Sequence, residues 1–194
     1  MRVPTGKKAP TIGILALQGA YEAHARMLSQ LGADCLWVRT AADLQGIDGL
    51  VLPGGESSTM LHHLQQTPQL YAALQEFVTT KPCLGTCAGL ILLAQAVLPQ
   101  QPSLGALAVT VQRNAYGRQR DSHITSAQTN LAGGPLEAVF IRAPRITALS
   151  PEVQVLADCD GTPVLVQQGQ VMGCSFHPEL GADSRVHAYW LNGF

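Results

Sequence analysis

Charged residues are scarce in this chain. Asp, Glu, Lys and Arg make up 13% of its 194 residues, and the formal net charge is −1. No long basic run occurs, so the sequence offers nucleic acid no electrostatic footprint. Long apolar runs are missing too. The longest falls well short of the roughly 20 residues that a membrane-spanning helix needs, and no membrane segment is expected. Residues 1–8 are polar and lack the apolar core of a signal peptide. Residues 1–10 read as a loose leader ahead of the first strand. Cysteine pairs at metal or redox spacing are also absent. Cys35, Cys83, Cys87, Cys159 and Cys174 are odd in number and scattered. Cys83 and Cys87 have three residues between them, not the two of a zinc or redox pair. This usage fits a reducing cytoplasm, with most cysteines serving as small core residues.

What is abundant is apolar. Hydrophobic residues reach 46%, enough for one sizeable core. With so little charge, a parallel sheet buried by helices is the natural arrangement. Strands are predicted at residues 11–17, 35–38 and 49–52. Between the first two, Ala20, Ala23, Met27 and Leu31 share one helical face, and Gly32 ends that helix. A second helix starts at Thr67-Pro68, with threonine as cap and proline in the first turn, and buries Leu70, Leu74 and Phe77. Residues 82–86 form a strand that leads into an apolar helix, ended by Pro99. Beyond it, residues 106–111, 138–141, 164–167 and 171–176 are short strand candidates, with turns at 161–163 and 168–170. The last helix carries Val186, Tyr189 and Trp190. No repeat or linker is visible. The expected fold is α/β, one domain over residues 11–194, with a mostly parallel central sheet and helices on both faces.

One stretch organises the rest. Gly85-Thr86-Cys87-Ala88-Gly89 joins the strand at 82–86 to its helix. Glycines two residues either side of a central nucleophile are the spacing of a nucleophile elbow. The backbones can then approach closely while the Cys87 side chain points into open space, often from a strained conformation. The helix N-terminus favours a thiolate, and the Ala88 N–H can bind a developing oxyanion. The plain alternative is a glycine-rich connection around one inert cysteine.

A cysteine nucleophile needs a base and a group that orients the base. His177-Pro178-Glu179 supplies both at the end of a predicted strand, with Pro178 stiffening the link. Otherwise His177 caps a strand and Glu179 is solvated. His24 and His123 have no acid at comparable spacing. His62 and His63 point to different helix faces and make a poor ligand pair. His187 is expected on the exposed side of the last helix. Pro53-Gly54-Gly55-Glu56-Ser57 is the third piece. Its Gly55 N–H could serve as a second oxyanion donor; otherwise it is a tight turn capped by Ser57. It is not a phosphate loop, because Gly-x4-Gly-Lys-Ser/Thr is absent.

These three motifs, running along the chain as Pro53–Ser57, Gly85–Gly89 and His177–Glu179, resemble the class I (triad) glutamine amidotransferases. Leu17-Gln18-Gly19-Ala20 with Glu22 and His24 narrows the resemblance, as do Ser58-Thr59-Met60, the block Arg113 to Gln119, Phe140-Ile141-Arg142-Ala143-Pro144, and Gly173-Cys174-Ser175-Phe176 before His177. Together they are similar to the glutaminase subunits of pyridoxal 5′-phosphate synthase. The resemblance runs from about Ile12 to the last helix.

The resemblance implies a class I amidotransferase-like fold and a set of roles. Cys87 would attack the side-chain amide of L-glutamine, His177 would move the protons, and Glu179 would orient His177. Gly55 and Ala88 would form the oxyanion hole. Glutamine would be held by Gly55, Glu56, Ser57, Arg113, Ile141 and Arg142. Gln18 would couple the site to a separate (β/α)8-barrel synthase subunit, in a large hetero-oligomer, that receives the ammonia. No cofactor, metal, nucleic acid or membrane would be bound, and the compartment would be cytoplasmic. Three other readings stay open from the residues alone: an amidotransferase for another pathway, a cysteine hydrolase of similar fold, and an inactive scaffold.

Overall fold

Branched aliphatic runs form the strands that carry the rest of the chain. The structure is a computed structural model and describes residues 8–113 and 122–194. The expected leader up to residue 7 and the motif block at 114–119 lie outside the described residues. In chain order the elements are β1 (Thr11–Leu15), α1 (Tyr21–Gln30), β2 (Asp34–Val38), β3 (Gly49–Leu52), α2 (Ser57–Gln66), α3 (Pro68–Thr80), β4 (Cys83–Thr86), α4 (Ala88–Leu93) and β5 (Ala94–Leu98). They continue with β6 (Leu107–Gln112), β7 (His123–Thr129), β8 (Leu136–Phe140), β9 (Arg145–Leu149), β10 (Gln154–Cys159), β11 (Thr162–Gln168), β12 (Val171–Cys174) and α5 (Arg185–Leu191). Short 3-10 turns occupy Ala41–Leu44 and Pro178–Leu180.

Among the described residues the large sheet has the order β2-β1-β3-β4-β12-β11-β10-β7-β8. The half from β2 to β12 is parallel. From β12 outward every pairing is antiparallel. The parallel arrangement therefore stops at β12, because the chain there runs through hairpins. Asp160 and Gly161, at φ 49 and 77, join β10 to β11, the pair of positive angles that a two-residue turn matched to strand twist requires. The sequence pattern places this turn one step later; Thr162 and Pro163 instead begin β11. A smaller sheet, β5-β6-β9, packs beside the large one.

Strand side chains alternate between the two faces. Leu50 and Leu52 of β3 enter a core with Leu64, Leu74 and Leu90 of α2, α3 and α4. Val51 turns the other way, into a core with Leu28 of α1 and Trp190 of α5. Helices thus cover both faces.

Two helices depart from the sequence expectation. α4 ends at Leu93, not at Pro99, and all six of its residues are buried. The next residues pair with β6 as β5, burying Ala94 and Val97, so a sheet partner takes the backbone groups that a longer helix would have used. α1 buries Ala23, His24, Met27 and Leu28, while Ala20 and Leu31 are only partly covered. The helix is turned so that a histidine faces inward, because polar partners wait there.

Candidate active site

Cys87 stands between β4 and α4 with φ 48 and ψ −103. Non-glycine residues rarely adopt such angles, and functional sites are where they persist. The conformation is held from below, where the Cys87 N–H donates to the Cys174 carbonyl at 2.8 Å. The flanking glycines are required by space. A Cβ at Gly89 would lie 1.9 Å from the Leu52 carbonyl oxygen, and one at Gly85 would lie 2.6 Å from the Gly89 carbonyl. Ala88 is the first residue of α4, so its N–H has no intrahelical acceptor.

His177 follows β12, the parallel neighbour of β4. Its N–H donates to the Val139 carbonyl at 2.8 Å, and its Nδ1 lies 2.8 Å from Glu179 Oε1. Pro178 opens the 3-10 turn that brings Glu179 back beneath the ring. On its other side the ring shares a cavity wall with the Cys87 side chain. Burial alone would drive the proton off His177, but the Cys87 sulfur and the Glu179 carboxylate hold its pKa up, to about 10. Burial works against the Glu179 charge as well, yet His24 and His177 keep its pKa below the ordinary value. Burial raises the pKa of the other four thiols, Cys83 to about 12. At neutral pH they stay protonated, and Cys87 is the thiol placed against a cationic ring.

The Gly54–Gly55 turn leaves β3 alongside. A Cβ on Gly54 would fall 2.3 Å from His177 Cε1 and 3.4 Å from Cys87 Cβ. The Gly54 carbonyl accepts from the Ala20 N–H at 3.1 Å, and Gln18 Nε2 donates to the Glu56 carbonyl at 2.8 Å. The orientation of the Gly54–Gly55 peptide is therefore tied to the start of α1. Gln18 lies on this tie and not in the pocket lining.

A cavity of about 330 Å³ opens over Cys87 and His177. Its walls include Gly55, Glu56, Ser57, Arg113, Ile141 and Arg142, together with Ile91, which sequence reasoning missed. Glu56 has a second task. Its carboxylate accepts from Ser58 and Thr59 N–H and so caps α2, the part that the sequence pattern assigns to Ser57. Thr67, expected to cap α3, instead donates its hydroxyl to the His63 carbonyl at 2.9 Å, closing α2. Arg113 is fixed at the cavity mouth by Gln101 Oε1 and, at 3.4 Å, by Glu56 Oε1. Arg142 has φ 45, a left-handed conformation uncommon outside glycine.

Two further histidines lie beneath the triad. His187, expected at the surface, is fully buried, as is His24. Their rings meet at 2.8 Å, and His24 Nε2 is 3.1 Å from Thr86 Oγ1 and 3.4 Å from Glu179 Oε2. The spacing held a signal: His24, Met27 and Leu28 follow the i, i+3, i+4 pattern of a buried face, as do His187, Trp190 and Leu191.

The arrangement supplies a thiol nucleophile, an oriented base, backbone donors nearby and cations for a carboxylate. Known proteins resemble this chain over nearly its whole length. The sequence profile of the SNO glutamine amidotransferase family matches residues 14–194. The chain is 53% identical over 181 residues to the pyridoxal 5′-phosphate synthase subunit PdxT of Koribacter versatilis, covering 93% of each chain. It is 48% identical over 190 residues to the subunit of that name in Deinococcus radiodurans, covering 93% of this chain and 95% of the other. A crystal structure described as a glutamine amidotransferase superposes with a TM-score of 0.87 at 40% identity, over 94% of this chain and 97% of that one. A Thermoplasma acidophilum protein described as part of a GMP synthase shares the fold, with a TM-score of 0.71 at 17% identity over 97% and 95% of the two chains.

Proposed function

Because the chain belongs to the SNO glutamine amidotransferase family, we propose that it hydrolyses L-glutamine as the glutaminase subunit of a pyridoxal 5′-phosphate synthase. The observation that carries this reading is the line Cys87–His177–Glu179 at the ends of adjacent parallel strands, facing a cavity with arginines in its wall. Cys87 sulfur adds to the side-chain amide carbon. The amide oxygen becomes an oxyanion, stabilised by the Gly55 and Ala88 N–H groups. The C–N bond breaks, and His177 gives its proton to the departing ammonia, leaving a γ-glutamyl thioester. His177 then takes a proton from water, the hydroxide adds, and the C–S bond breaks to release glutamate and restore the thiolate. Atoms balance as glutamine plus water to glutamate plus ammonia.

An arginine suits the substrate carboxylate, because its planar fork meets both oxygens. Ammonia passes to a (β/α)8-barrel synthase subunit within a hetero-oligomer, and that subunit makes the cofactor. Contact with it is read through Gln18 and the start of α1. Five free thiols support a cytoplasmic setting.

The test is ammonia release from glutamine, with and without the co-purified synthase subunit. Glutamine-dependent release that disappears in Cys87→Ser supports the proposal. Undiminished release by that variant, or none from the native complex, defeats it.

A further inference from the structure

The glutaminase chemistry uses Glu179 through one oxygen only. Oε1 accepts from His177, while Oε2 is buried and has no hydrogen-bond partner among the described residues. A buried carboxylate oxygen without a donor is costly. His24 Nε2 lies 3.4 Å from it. His24 comes from α1, His187 from α5, Thr86 from β4 and Glu179 from the turn after β12, so four elements converge on this point. The titratable groups facing His24 are His187, Glu179 and His177; β4 contributes the uncharged Thr86.

The contacts allow one consistent proton assignment. If His24 carried its proton on Nδ1, it would donate to His187 Nε2. The His187 proton would then sit on Nδ1, which is buried and without a partner, and a bare His24 lone pair would face a carboxylate. With the proton on Nε2, His187 donates to His24 Nδ1, and the His24 N–H donates to Thr86 Oγ1, with Glu179 Oε2 3.4 Å from the same nitrogen. The atom left over is an acceptor nitrogen, not an N–H. Both rings are neutral in this arrangement, and burial pushes both pKa values down, that of His187 to about 3.

We propose that His24 is a positioning residue for this site: its ring, oriented by His187 and Thr86, holds an Nε2–H edge 3.4 Å from the outer oxygen of Glu179 and fixes that carboxylate against His177. The inference deepens the glutaminase reading and rests on it.

Its test needs no turnover. In the full native chain, 15N NMR of the imidazoles reads the tautomer of His24. A neutral ring protonated on Nε2 at pH 7 is expected; a proton on Nδ1, or a charged ring, overturns the inference. The second measurement is the pH dependence of Cys87 alkylation by iodoacetamide, in native protein, His24→Gln and His24→Asn. Glutamine places a donor near the Nε2 position, and asparagine falls short of it. Without the donor Glu179 protonates at higher pH, so the acid limb for His24→Asn moves up by about half a pH unit, slowing alkylation there about threefold. His24→Gln stays with the native curve. A uniform loss of rate with an unmoved limb marks a merely structural role and overturns the proposal. In glutamine turnover, kcat should fall for His24→Asn with KM unchanged. A shifted limb in a protein that never hydrolyses glutamine defeats the function and leaves the positioning role intact.

Discussion

Thr86 and Cys174 are register partners on the parallel strands β4 and β12. That pairing explains how a cysteine and a histidine far apart in sequence become neighbours. Cys87 is the next residue after Thr86, and its N–H donates to the carbonyl of Cys174 at 2.8 Å. His177 lies three residues beyond Cys174 on the same side of the sheet, at the carboxyl ends of the strands, where open α/β sheets place ligands. The sheet itself aligns the pair, which suits a site that must hold its geometry closely.

Gly54→Ala should abolish most glutaminase activity while leaving binding surfaces elsewhere untouched. The new methyl would stand 2.3 Å from His177 Cε1, a distance no real contact tolerates, so either the ring or the turn must move. Loss of a correctly placed base or oxyanion donor costs about 10²–10³ in rate. Single-turnover ammonia release measures it. Native-like rates would mean that the turn and His177 are not packed as described.

Gly19→Ala tests the tie between α1 and the oxyanion peptide. Gly19 has φ 92, and a Cβ there would lie 1.9 Å from the Gly54 carbonyl oxygen. That carbonyl belongs to the peptide carrying the Gly55 N–H. The variant should lose up to about 10² in kcat, and addition of the synthase subunit should restore less than it does for native protein. Equal stimulation of both proteins would separate α1 from the oxyanion hole.

The elbow, the His-Pro-Glu turn and the Gly-Gly turn were legible because each is a local pattern whose spacing states its geometry. The parallel strands were legible from their aliphatic runs. β7, β9 and β10 escaped notice: strands such as His123–Thr129, mostly exposed or partly exposed, lack an unbroken apolar signal. His24 and His187 escaped for another reason. A polar residue within a helix is assigned outward by default, and only the partners it meets from three other elements overturn that default. Those partners are set by tertiary packing, which no local window of sequence contains. Ile91 was overlooked because an apolar residue on a buried helix looks like core until a cavity is found beside it.

Arg113→Ala should raise KM for glutamine about tenfold or more with kcat little changed. Gln101 and Glu56 hold the guanidinium at the cavity mouth, so it is oriented before substrate arrives. A contact present equally in ground and transition states affects KM and not kcat. Arg113→Lys should recover little, since an ammonium cannot reproduce the planar fork. Steady-state kinetics decide it, and a fall in kcat at constant KM would assign Arg113 to the chemistry instead.

Glu56→Ala should destabilise the fold by about 1 kcal/mol at pH 7, the usual worth of a helix cap. The carboxylate accepts from Thr59 N at 2.8 Å and Ser58 N at 3.3 Å. Partial burial opposes its charge, but these bonds and those from the two hydroxyls bring its pKa from 4.5 down to about 2. The folded value lies below the unfolded one, so the contribution is complete above about pH 4.5 and is lost as pH falls through about 2. The side chain is 55% exposed, so solvent and salt damp the charge itself and the hydrogen bonds carry most of the effect. Urea unfolding of native and variant protein at pH 7, 5 and 3 should therefore give a gap that is constant between the first two and smaller at the third. A gap that stays unchanged at pH 3 would remove the ionised carboxylate as its source.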